Sequence, residues 1–156
     1  HKQYEYAILI LKKFLEEPDG WIENKLNSCL VLSCCYQAMG ENAAALDILF
    51  YSFTMDVPRA EICCEIGRLF MEKREYVTAA YWYQQALLAP RKKKNGGFYI
   101  ADSHDFIPAI QMCVCLDKAG RHREAFEFHK KARVLKPLHQ AVIGNEKYFR
   151  DVWGME

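Results

Sequence analysis

Cysteine is the residue type here with the most obvious chemistry: Cys34-Cys35, Cys63-Cys64 and Cys113-x-Cys115 could offer thiolates to a metal or to disulfide exchange, with Cys29 as the seventh. Structural zinc sites usually space their cysteines two to four residues apart on turns. Adjacent residues on a helix point about 100° apart and cannot both aim at one ion without partners from other helices. Seven is also odd, so the thiols cannot all pair with one another. Buried thiols, behaving as small hydrophobes in a reducing, cytoplasmic setting, are the expectation. Metal or redox sensing would require reactive thiols in the folded protein, and no metal site is expected.

Asp102-Ser103-His104-Asp105 holds the residue types of a nucleophile, a base and an orienter. Such groups must converge in space with defined hydrogen bonds, which neighbours on one loop rarely do, so no catalytic residue is assigned. Arg91, Lys92, Lys93 and Lys94 precede Asn95-Gly96-Gly97 and the apolar Phe98, Tyr99 and Ile100. The glycine pair lacks the spacing and the Lys-Ser/Thr of a phosphate-binding loop. A solvated charge run followed by an aromatic anchor is the better reading. Trp21, Trp82 and Trp153 read as packing residues, because a sugar platform would need an exposed ring.

These residues lie in a register of 34 residues, with windows Leu26–Arg59, Ala60–Lys93 and Phe106–His139. Position 20 is Ala45, Ala79 and Ala125; position 27 is Ser52, Ala86 and Ala132; position 8 is Ser33, Gly67 and Cys113. Position 11 is Tyr36, Phe70 and Leu116, position 15 is Gly40, Arg74 and Gly120, and Pro58, Pro90 and Pro137 close the windows. Small side chains let two helices approach and bulky ones fill the space beside them. The register resembles the tetratricopeptide repeat, a helix pair that stacks to bury a continuous core. The fold expected is all-α, with antiparallel helix pairs in a right-handed solenoid of about seven helices. Binding or positioning, rather than chemistry, is the expected job.

Composition fits one domain of 156 residues, with 51% hydrophobic residues and a net charge of +1. That balance argues against an electrostatic nucleic-acid binder. No run approaches a membrane span, and no signal-peptide pattern opens the chain.

Helical spacing predicts a helix over Lys2 to Glu17, stopped by Pro18-Asp19-Gly20, which reads as the second half of a repeat over 1–20. The chain starts at His1 rather than at methionine, so the fold is expected to continue upstream. Helices Glu23 to Met39 and Glu41 to Met55, Arg59 to Lys73 and Tyr76 to Ala89, and Phe106 to Ala119 and Arg121 to Leu135 form the three pairs. A last helix over 138–152 serves as a cap. The connection 90–105 exceeds the repeat spacing by 12 residues, and connections of that length are often functional or disordered. Pro58 suits a helix start, and Glu61 complements the positive end of that helix.

In solenoids the first helices of the pairs line the concave face. That face would offer Asn27, Gln37, Glu61, Glu65, Arg68, Met71, Gln111 and Asp117 as partner-binding residues, a mixed and mildly acidic set. It lacks the Lys and Asn set that clamps a chaperone tail.

Beyond the generic repeat, Thr54-Met-Asp-Val-Pro-Arg-Ala-Glu-Ile-Cys-Cys-Glu-Ile-Gly67 and Tyr76-Val-Thr-Ala-Ala-Tyr-Trp-Tyr-Gln-Gln-Ala86 resemble a tetratricopeptide region that follows the catalytic domain in certain bacterial family 2 glycosyltransferases. So do Gly96-Gly-Phe98, Ile107-Pro-Ala-Ile-Gln-Met-Cys-Val-Cys-Leu-Asp117 and Asn145-Glu-Lys-Tyr-Phe149. The resemblance implies a parent polypeptide whose catalytic domain binds a nucleotide-sugar and a divalent metal through an Asp-x-Asp. That motif is absent here, so no cofactor is expected in this domain. An accessory role in binding a protein or glycan acceptor, or in self-association, follows. The alternative is a free-standing adaptor that binds a protein segment in its groove.

Overall fold

The computed structural model describes residues 1–91 and 97–156. The basic run at Lys92, Lys93 and Lys94 and the Asn95-Gly96 part of the turn signal lie outside the described residues. Among the described residues the chain is all helical: α1 (Lys2–Glu16), α2 (Ile22–Ala38), α3 (Asn42–Tyr51), α4 (Ala60–Glu72), α5 (Tyr76–Leu88), α6 (Phe106–Lys118), α7 (His122–Leu135) and α8 (Gln140–Trp153). Short 3-10 turns occupy Ser52–Thr54 and Ala101–His104. The described helices number eight against the expected seven or so, because the half repeat at the start and the cap at the end both form.

The hairpin between paired helices is built the same way three times. Gly40, Arg74 and Gly120, all at position 15, take left-handed φ values of 80°, 61° and 79°. In each case the next residue's amide donates to the position 11 carbonyl: Glu41 N to Tyr36 O at 2.8 Å, Glu75 N to Phe70 O at 2.9 Å and Arg121 N to Leu116 O at 2.9 Å. This left-handed stop satisfies carbonyls that a helix end would otherwise leave bare. Position 15 is thus set by backbone conformation, and an arginine can occupy it at a steric cost.

The described residues divide into two compact units, His1–Pro58 with residues 97–99, and Arg59–Arg91 with Ile100–Glu156. In the first, α1 packs on α2, and α2 pairs with α3 around the buried Leu26, Cys29, Leu32, Ala45 and Leu49. Lys25 Nζ closes the end of α1 by donating to Leu15 O at 3.3 Å and to Glu17 O. A cation there also meets the negative end of the helix dipole.

In the second unit, α4 pairs with α5 and α6 with α7, while α5 also packs on α6. Ala79, Ala86, Ala125 and Ala132, at positions 20 and 27, are fully buried, so a larger side chain there would push the paired helices apart. Pro58 sits one residue before the Arg59 cap of α4 rather than on its first turn. Helix α8 covers the open side of α7 with Val142 and Phe149, both buried, and Arg133 of α7 pairs with Glu146 of α8 at 2.9 Å.

Candidate partner-binding surface

The first-helix face of α4 is already occupied by the chain itself. Residues 100–104 run over part of it, and the Ile100 amide donates to Glu61 Oε1 at 2.8 Å. The His104 ring lies 3.6 Å from the same carboxylate oxygen, both side chains being about 5% exposed or less. One helical turn along α4, the Cys64 thiol donates to Ser103 O at 3.4 Å. Glu61 is therefore an internal anchor of the inserted segment.

The four residues that could have been a catalytic set diverge onto separate structural partners. Asp102 pairs with Lys136, and the Ser103 carbonyl accepts from Cys64. Asp105 caps α6 by accepting from Phe106 N at 2.6 Å and holds Arg91 at 3.1 Å. With Ser103 and His104 both buried, this loop is a docking device.

Farther along α4, Glu65 and Arg68 bond at 3.0 Å, Glu72 also pairs with Arg68, and Met71 is half-buried. The charges on this stretch are largely neutralised by one another. Gln111 is half-buried on α6.

Asp117 is drawn into a polar cluster at the C-terminal end of α6. It accepts from the His122 ring at 2.7 Å and from Tyr148 OH at 2.8 Å, and Trp153 Nε1 donates to Tyr148 OH at 3.2 Å. The His122 and Trp153 rings stack with centroids 3.8 Å apart. Beside this cluster a groove of about 210 Å³ runs between α6 and α8, lined by Cys113, Val114, Asp117, Lys118, Asn145, Tyr148 and Phe149. Asn145 reaches its floor, donating to the Cys113 sulfur at 3.6 Å.

In the first unit, Asn27 and Cys34 are exposed on α2, and Gln37 donates to Ser33 Oγ at 3.1 Å. Of the eight residues read from the register, Asn27 and Gln37 belong to the first unit and the other six to the second. The Asn145 and Tyr148 side of the groove was missed, because α8 stands outside the three windows. Continuing the register by one further repeat from Gln140 would have placed both on a first-helix face.

Six of the seven thiols are buried, and Cys34 is exposed. Burial pushes Cys63, Cys113 and Cys115 up to about 12 and Cys29 up to about 11, and it raises Cys64 further. Thiolate, the reactive form, is correspondingly scarce at neutral pH. No three His, Cys, Asp or Glu side chains among the described residues gather as a metal set. Trp21 and Trp153 are about half exposed, and Trp82 is half-buried against Tyr81. No helix among the described residues is long and apolar enough to cross a membrane.

The fold is that of a tetratricopeptide-like helical repeat protein. Among solved structures, MamA AMB-1 superposes with a TM-score of 0.69 over 98% of this chain and 75% of that one, at 18% identity. A second MamA structure gives 0.66 over 95% and 81% at 23% identity, and MamA MSR-1 gives 0.66 over 98% and 79% at 19%. At these identities the likeness concerns the fold. No family model and no curated protein matches the chain.

Proposed function

We propose that this chain is a non-catalytic interaction module whose second unit holds an extended protein segment in the groove between α6 and α8. The observation that carries the reading is the chain's own use of the neighbouring first-helix face: Glu61 on α4 accepts a backbone amide from Ile100. With the Glu61 end of α4 covered, a further first-helix groove of this unit is that of Asn145, Tyr148, Lys118 and Asp117. Asn145 offers an amide donor and acceptor matched to a peptide bond, and Lys118 supplies a cation for an acidic residue or a terminal carboxylate. In the first unit, Asn27 and Gln37 on α2 are the corresponding contacts.

Peptide display against the folded chain tests this. Selected peptides should lose at least about tenfold in affinity on Asn145→Ala or Tyr148→Ala, a loss of ~1.4 kcal/mol. Peptides that bind wild type and both variants equally would place the site elsewhere. Concentration-dependent assembly with no peptide selected would favour self-association.

The glycosyltransferase setting is carried by the motifs at 54–67, 76–86, 107–117 and 145–149. In that setting the module positions a protein or glycan acceptor for a catalytic domain that holds the nucleotide-sugar and divalent metal. Deleting residues 1–156 from the parent should alter acceptor use and leave donor hydrolysis measurable. Loss of all donor turnover would instead mark a folding role. The buried thiols suit a reducing compartment such as the cytoplasm.

A further inference from the structure

Position 24 of the register, within each second helix, is Leu49, Tyr83 and His129, and all three are fully or almost fully buried. Two repeats place an apolar or aromatic side chain there, and the third places an imidazole. His129 lies between the Phe126 ring, 5.7 Å away, and the Phe149 ring of α8, 5.6 Å away. Neither of its ring nitrogens has a hydrogen-bond partner among the described residues.

The start of α8 depends on a second histidine. His139 Nδ1 accepts from Ala141 N at 3.2 Å, closing the first turn. We propose that α8 is an acid-released cap: protonation of His129, buried against Phe149 with neither ring nitrogen partnered among the described residues, loosens α8 from the α6–α7 pair and uncovers the apolar surface beneath Val142 and Phe149.

Arg133 on α7 disfavours a charge on His129, and Glu146 on α8, paired with Arg133, partly offsets it. Burial is the larger cause, and it holds the imidazole below its ordinary range. At the α6 contact the titratable groups are Cys113, bonded to Asn145, and Asp117, bonded to Tyr148 and His122.

The sign follows from linkage. The folded state binds fewer protons at His129 than the unfolded state, so α8 holds fully above about pH 6.5 and weakens as pH falls from there toward the lowered folded value. The uncovered core comprises Phe106, Ala109, Ile110 and Ala132, which pack with Val142.

Amide hydrogen exchange at pH 7.5 and 5.5, corrected for intrinsic rates, tests the device on the full chain. Protection over residues 140–149 should fall by up to about tenfold between the two pH values, the most that an imidazole of ordinary value near 6.5 can contribute at pH 5.5, while α4 and α5 hold theirs. His129→Phe should abolish most of that difference, and His129→Leu serves the same purpose if the phenylalanine variant does not fold. Equal α8 protection at both pH values in wild type would overturn the proposal. So would an equal loss in wild type and in the folded position 129 variant.

Discussion

Gly67 of α4 lies directly under the ring of Tyr83 of α5: a Cβ built on the glycine would sit 2.9 Å from Tyr83 Cε2 and 3.0 Å from Cζ. Tyr83 is only 2% exposed and cannot swing away without opening the pair. The contact joins positions 8 and 24 of one repeat. Gly67→Ala should lower stability by about 1–3 kcal/mol, and Gly67→Leu by more, as overpacking does. Urea unfolding with an unchanged m-value would measure it, and a midpoint within error of wild type would refute the close approach.

Arg74 is the one non-glycine residue with positive φ among the described residues, at 61°. The equivalent turns use Gly40 and Gly120. A left-handed conformation strains a residue that carries a Cβ by roughly 1–2 kcal/mol, against an entropic cost for glycine of about 0.5–1 kcal/mol. Arg74→Gly should therefore stabilise the chain by several tenths of a kcal/mol to about 1, visible as a higher Tm. A lower Tm would mean that the Arg74 side chain makes contacts that outweigh the strain.

The helix pairs were legible because the register fixes residue size where two helices touch: Ala45, Ala79 and Ala125 are all fully buried, as small residues at a crossing must be. The docking of Ile100–His104 on α4 was not legible. It joins residues 39 apart through one amide and one carboxylate, and a single long-range bond leaves no periodicity in sequence. Glu61 consequently read as a surface acid complementing a helix end. His129 was hidden for a related reason, since a polar residue at a core position looks exposed until its neighbours are known. Asp117 was recognised as a first-helix residue, but its partners His122 and Tyr148 lie outside that helix.

Thiol accessibility separates structural cysteines from a sensor. Cys34 is exposed, whereas Cys29, Cys35, Cys63, Cys64, Cys113 and Cys115 are buried. A maleimide at pH 7 should label Cys34 alone in the native protein and all seven after denaturation. Cys34→Ser should leave almost no native labelling. Fast native modification of Cys63 or Cys113, whose burial raises their pKa values to about 12, would revive the redox reading.

Glu61 tests whether the inserted segment is held by one acceptor. Glu61→Gln keeps an oxygen for the Ile100 amide but gives up the carboxylate beside His104, 3.6 Å away. Glu61→Leu removes both, leaving the amide without this partner and the imidazole facing a hydrocarbon. Losing an acceptor opposite a buried donor costs about 1–3 kcal/mol. The leucine variant should therefore be less stable than the glutamine variant by roughly that amount, and proteolysis should cut faster between residues 97 and 105. If the two variants unfold together and resist protease equally, the segment is held by its Ser103, Asp102 and Asp105 contacts instead, and Glu61 is dispensable to the docking.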